Sequence, residues 1–252
     1  MKRFPVVTYH SLDDSGSVIS ISPAQFRWQM EFLRGNGWRT LSLDELLAGH
    51  TRGEWPARTF ALTFDDGYAN FAEHALPVLT VCSFSAIVFV IGEFVGRKND
   101  WRCQSSSVPR CALMDWNSLR VIVDAGMEIG GHSLSHPRLT GVTKEESERE
   151  ITGCKQVIED RIGGVVRAFA YPYGETTHAL EAIVSKYYRA GFGTQLGFAT
   201  PTSRATAFER IDAFYLRQPR FFRALETGRL FGYLKIRRWL RGLRQHFEGN
   251  GM

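Results

Sequence analysis

The chain has 252 residues, of which 44% are hydrophobic, 23% charged and 13% aromatic. That is enough apolar surface for a sizeable core, and it excludes a disordered chain or a small disulfide scaffold. The formal net charge of +5 comes from the region after residue 216, which leaves the rest of the chain near neutral.

The N-terminus carries two basic residues but no long apolar run, so neither a secretory signal nor a membrane span is expected there, and the chain is expected in the cytoplasm. Residues 5–9 read as a short strand. A helix follows, with Ser22 as N-cap, Pro23 in the first turn and Gln25 closing a capping box. Its apolar stripe is Phe26, Met30 and Leu33, and Gly35 and Gly37 end it. A second short strand is expected over 38–43, and Ser42 with Glu45 forms another capping box. Residues 59–64 form a strand that runs into Asp65 and Asp66. The run 86–91 is almost continuously apolar and β-branched, as in a strand buried on both faces. Asp115 caps a helix carrying Leu119, Ile122 and Val123, which Gly126 ends. A short strand over 128–130 leads to His132. Thr143 and Glu146 cap a long helix carrying Ile151, Cys154, Val157 and Ile158. A strand over 165–170 enters Tyr171-Pro172-Tyr173-Gly174, followed by a helix over 178–188 and a strand over 190–192.

Alternating strands and helices imply parallel strands with helical crossovers, an α/β fold. The chemically loaded residues fall just after strand ends, which in a (β/α) barrel is the face that carries active sites. Thr63-Phe64-Asp65-Asp66-Gly67 sets two carboxylates side by side, and His132-Ser133-Leu134-Ser135-His136 sets two imidazoles four residues apart. Together they supply three ligands for a metal with an open fourth position, plus a spare carboxylate for general base work.

These motifs, followed by Phe169-Ala170-Tyr171-Pro172-Tyr173-Gly174, resemble the polysaccharide deacetylases, carbohydrate esterase family 4, with the NodB-like distorted (β/α) barrel. The resemblance runs over about residues 5–216. It implies a hydrolase that removes an N-acetyl group from an amino sugar, with Asp65 as general base. It also implies one divalent ion, usually zinc, on Asp66, His132 and His136. Many members carry an arginine before the Pro-Tyr-Gly and a late histidine that acts as acid. Here Ala170 and Tyr171 stand near the first position, and His246 is the only histidine beyond residue 178. A branch resembling the poly-β-1,6-N-acetylglucosamine deacetylases shares both departures and takes its acid from an early Tyr-His. Tyr9-His10 matches that pattern. Arg210 is the candidate for the missing arginine, holding Asp65 ionised. Tyr171, Pro172 and Tyr173 are expected to bind substrate, with the Tyr173 N–H as an oxyanion donor and Trp101 and Trp116 as further aromatic walls. Alternatives are a deformylase or amidase acting on a lipid-linked sugar, a nucleotide sugar or a non-sugar amide, and a metal-binding carbohydrate module without turnover. Binding alone has no need of Asp65.

The expected division is a deacetylase barrel over 1–216 and a basic amphipathic tail over 217–252. In the tail, Phe221, Leu225, Leu230, Leu234, Trp239 and Leu243 interleave with Arg217, Arg220, Arg223, Arg229, Lys235, Arg237, Arg238, Arg241 and Arg244. That pattern suits an anionic membrane surface, or a helix packed on the barrel with a solvated basic face. No nucleic-acid recognition motif accompanies it. None of the four cysteines forms a Cys-x-x-Cys pair. Cys82 and Cys154 sit in apolar settings, and Cys103 and Cys111 share one loop, where a disulfide between them is left open.

Overall fold

A computed structural model describes residues 1–225 and 230–249, with side chains described to residue 240. Arg229, and the side chains of Arg241, Leu243, Arg244 and His246, lie outside the described residues. In chain order the elements are β1 (Val6–Tyr9), β2 (Ser11–Leu12), β3 (Ser20–Ile21), α1 (Pro23–Gly35), β4 (Arg39–Thr40), α2 (Leu43–Arg52), β5 (Thr59–Phe64) and α3 (Leu76–Cys82). There follow β6 (Ile87–Val90), α4 (Trp116–Asp124), β7 (Glu128–Gly131), α5 (Lys144–Ile162), β8 (Ala168–Ala170), α6 (His178–Tyr187), β9 (Ala190–Leu196), β10 (Phe208–Asp212), α7 (Pro219–Arg223) and α8 (Leu230–Gly249).

Strands β1, β10, β9, β8, β7, β6 and β5 are neighbours in that order, all parallel, and β1 pairs back onto β5. The result is a closed seven-stranded barrel, the distorted (β/α) barrel that the alternation predicts. β4 adds to the outside of β5, and β2 and β3 pair separately.

The period of two sorts each barrel strand into an inner and an outer face. Val6, Ala61, Ile87, Phe89, Ala168, Ala170, Ala190, Phe192 and Phe208 pack together inside. Val7, Tyr9, Leu62, Phe64, Val88, Phe169 and Tyr171 face outward into the layer shared with the helices. Phe89 and Phe192 meet at 5.4 Å, and Phe192 and Phe208 at 5.7 Å, so three rings fill most of the narrow interior. Facing positions must then be small: a Cβ on Gly130 would lie 2.3 Å from Phe89. Above the rings the interior turns polar, with Thr8, Thr63 and Arg210, and this layer lies directly beneath the strand ends.

Local signals form most helix starts as expected. Both capping boxes, Ser42 with Glu45 and Thr143 with Glu146, are complete, and Asp115 accepts from the Ser118 N–H at 2.7 Å. The box at Ser22 is only half made. Ser22 accepts from the Gln25 N–H, but the Gln25 side chain donates to the distant Arg217 carbonyl instead. The strand expected over 38–43 shrinks to Arg39–Thr40 because Ser42 already begins α2.

The segment after Leu216 packs on the barrel. Phe222 and Leu230 are fully buried and Leu234 is 1% exposed, and Tyr233 stacks on Phe221 at 4.0 Å. The single apolar stripe expected there is therefore split. Leu230 and Leu234 face inward, whereas Trp239 points outward beside Ile236 and Leu240. All four cysteines are free thiols; Cys82 and Cys154 are buried. Among the described residues no helix is long and apolar enough to cross a membrane.

Candidate active site

β5 ends at Phe64, so Asp65 and Asp66 stand at the rim of the barrel, and β7 delivers His132 to the same rim. The backbone here is bent in an unusual way. Among the described residues, Asp66, Ser133, His136 and Tyr173 are four of the six non-glycine residues with positive φ. Such conformations cost free energy and gather where side chains must be aimed.

The aiming brings three donor atoms together. Asp66 Oδ1 lies 3.3 Å from His132 Nε2 and 3.4 Å from His136 Nε2, and the two Nε2 atoms are 3.3 Å apart. The centre of that triangle is about 1.9 Å from each atom, close to zinc–nitrogen and zinc–oxygen bond lengths of about 2.0–2.2 Å. The His132 Nδ1–H donates to the Ala170 carbonyl at 2.8 Å, which fixes the ring and leaves Nε2 as the ligating atom. The His136 ring is held between Trp101 at 4.5 Å and Tyr173 at 4.8 Å. Burial drives its pKa down to about 3, so it is neutral, the form that binds metals. At Asp66, burial favours the protonated acid, but the adjacent histidines outweigh it and hold the carboxyl below its ordinary value. Two neutral-capable imidazoles and one carboxylate at these distances fit a divalent ion.

Asp65 faces the same space with a different set of contacts. Arg210 donates to it from both terminal nitrogens, each at 2.7 Å. The guanidinium is itself fixed by the Gly193 carbonyl at 2.7 Å and the Thr8 hydroxyl at 3.1 Å. Burial favours the neutral acid at Asp65, but Arg210, with His132 and His10, overrides it and holds the carboxyl well below the usual range. Both side chains are almost fully buried, so the pair is tightly interdependent. Arg210→Gln is expected to lower stability by roughly 3–5 kcal/mol, because it leaves a buried carboxylate without its cation. Arg210→Lys keeps the charge but not the two-pronged contact, and should fall between. The shift in denaturant midpoint measures both; an unchanged midpoint for Arg210→Gln would contradict the buried pairing.

The family model for polysaccharide deacetylases matches residues 52–190, more than half of the chain. The chain belongs to the polysaccharide deacetylase family. Relatives include YxkH of Bacillus subtilis, 26% identical over 211 residues, covering 83% of this chain and 71% of that one. The poly-β-1,6-N-acetyl-D-glucosamine N-deacetylase of Escherichia coli is 25% identical over 137 residues, 52% of this chain but only 20% of that one. IcaB from Ammonifex degensii shares the fold with a TM-score of 0.76 at 22% identity, covering 90% of this chain and 97% of that one.

The matched stretch of this deacetylase includes Asp65, Asp66, His132 and His136 but neither His10 nor Arg210, which the fold brings in from β1 and β10. His10 follows β1 at the rim, and its Nε2 lies 3.7 Å from Asp65 Oδ2 with the side chain partly open to solvent. Tyr173 is half-buried against the His136 ring, with Arg138 on its own ring. Tyr171 does not take the substrate-facing place expected of it. It continues the outward face of β8, is fully buried against Phe169, and donates its hydroxyl to the Thr206 carbonyl. Pro172 is also buried, so it shapes the loop rather than offering contact surface. Trp116, at the start of α4, packs against the core with Arg161 of α5 over its ring. Sequence reasoning missed Thr8 and Thr63, the hydroxyls beside Arg210. Each stands two residues before a rim residue, His10 and Asp65, and so shares its inward face; that spacing was the available signal.

Proposed function

We propose that this protein is a metal-dependent hydrolase that removes an N-acetyl group from an amino sugar of a glycan or glycan precursor. The observation that carries the reading is the Asp66–His132–His136 triangle with an ionised, arginine-held Asp65 beside it. A divalent ion on those three residues would supply Lewis-acid polarisation of the amide carbonyl and make water more acidic. Asp65 accepts the proton of the attacking water, and Arg210 keeps it ionised and correctly turned for that task. His10, on the other side of Asp65, is open enough to reach the leaving nitrogen and protonate it as the amide bond breaks. The buried Trp101 and the half-buried Tyr173 brace His136, and Tyr173 offers a face that suits a sugar ring. The named activity of the E. coli relative supports a β-linked N-acetylglucosamine polymer as substrate class.

The test is acetate release from N-acetylglucosamine oligosaccharides by protein supplied with zinc and by protein stripped with a chelator. Acetate is expected only with zinc; release of formate alone from N-formyl analogues would favour the deformylase alternative. In the same assay His10→Gln should lower turnover by roughly 10²–10⁴-fold, the usual weight of general acid catalysis, with metal content unchanged. A near-normal rate removes His10 from the chemistry.

We also propose that the outer face of α8 meets an anionic membrane surface. Ile236, Trp239 and Leu240 are 61%, 65% and 45% exposed. Trp239 and Leu240 lie three and four residues after Ile236, so the three share a face, with Lys235 and Arg238 beside them. Full-length protein should co-sediment with phosphatidylglycerol vesicles at low salt and lose most of that binding in Ile236→Ser/Trp239→Ser. Equal binding by that variant removes α8 from the contact.

A further inference from the structure

We propose that Glu150 is a positioning residue for the metal centre, holding the loop that connects its two histidines. The inference rests on the reading of Asp66, His132 and His136 as a metal site.

Glu150 lies in the first half of α5 and is 8% exposed. Its Oε2 accepts the N–H groups of Leu134 and Ser135 at 2.9 and 2.8 Å, and its Oε1 accepts the Ser135 hydroxyl at 2.6 Å. Two successive backbone N–H groups aimed at one point form a concavity that favours an anion, and here the anion is a side chain of the same protein. Among the described residues no lysine or arginine forms an ion pair with this carboxylate, so the loop itself meets its charge.

The loop needs such a hold. Between His132 and His136 the chain reverses within five residues, with Ser133 at φ 63° and His136 at φ 62°. Side-chain-bearing residues reach that region only when the surroundings impose it. The Ser133 hydroxyl accepts the His136 N–H at 2.9 Å and so closes the turn from inside. The Ser133 and Leu134 carbonyls accept the Gly92 and Glu93 N–H groups at 3.1 and 2.9 Å from one side. Glu150 grips the opposite, N–H-bearing edge. The path of this loop sets the 3.3 Å separation of the two histidine Nε2 atoms. Releasing the Glu150 grip lets His136 leave the triangle while His132, held by β7 and the Ala170 carbonyl, stays.

The experiment measures zinc affinity by chelator competition in wild type, Glu150→Ala, Glu150→Gln and Ser135→Ala, alongside the melting temperature of each metal-free protein. Glu150→Ala should bind zinc about 10–100-fold more weakly, the usual cost of losing a group that orients a ligand. Glu150→Gln should lose less, because one carbonyl oxygen can still accept both N–H groups. Ser135→Ala should lose least. With Co²⁺ in place of zinc, Glu150→Ala should also alter the visible absorption band, which reports ligand geometry. If Glu150→Ala lowers the metal-free melting temperature but binds zinc as tightly as wild type, Glu150 is merely structural and the proposal falls. Should Glu150→Ala not fold, unchanged zinc affinity in both Glu150→Gln and Ser135→Ala overturns it equally. A wild type that binds no zinc defeats the metal reading itself, and this inference with it.

Discussion

Asp65→Asn is expected to cut turnover by roughly 10²–10⁴-fold, the loss typical of a missing general base, while the protein still binds its divalent ion. Asp66, His132 and His136 are untouched by the change, and an amide cannot accept the proton of water. The variant carries a second consequence. Arg210 is buried, and both of its 2.7 Å contacts to Asp65 depend on carboxylate oxygens. Asparagine can accept only one of them and leaves the guanidinium uncompensated, so stability should also fall by several kcal/mol. Turnover must therefore be compared at a temperature where circular dichroism shows the variant folded, with zinc measured on the same sample. Loss of zinc with normal turnover per bound ion would exchange the roles of the two aspartates.

His132→Ala should lower metal content and activity together. Removing a group that merely orients a ligand weakens metal binding about 10–100-fold, so losing the ligand itself should cost at least about 10²-fold. The substitution also frees the Ala170 carbonyl at the end of β8, which the imidazole now satisfies. Elemental analysis after dialysis decides the matter. Full zinc occupancy in His132→Ala would place the ion elsewhere.

What the sequence revealed depended on how local each cause was. Capping boxes are written within four residues, and those at Ser42 and Thr143 formed as read. Gln25 fits the same pattern, yet its amide found a tertiary partner in Arg217, which no local rule contains. The alternation of strands and helices announced the barrel, but β10 was missed. Its segment, Phe208-Glu209-Arg210-Ile211-Asp212, is rich in charge, and burial of Arg210 makes sense only once Asp65 stands opposite. α3 was missed too; it follows a π-helical turn over Phe71–Ala75 and carries Pro77 at its start, so its pattern is short and interrupted. The aspartates and histidines at the rim stood out as motifs. The placing of His10 and Arg210 beside Asp65 instead needed strands far apart in sequence to come together. Tyr171 was read from its neighbours rather than from its phase: two residues after Phe169 it must point the same way, out of the barrel and into the helical layer.

The seam of the barrel gives the Asp65–Arg210 pair one more meaning. β10 is the last barrel strand in the chain, wedged between β9 and β1, and Arg210 lies 145 residues beyond Asp65. As the polypeptide leaves the ribosome, Asp66, His132 and His136 can all be present while the seam is still open. Until β10 docks, Asp65 lacks the guanidinium that meets its charge in the closed barrel. The contact that fixes Asp65 at the rim therefore forms only when the barrel closes at this seam.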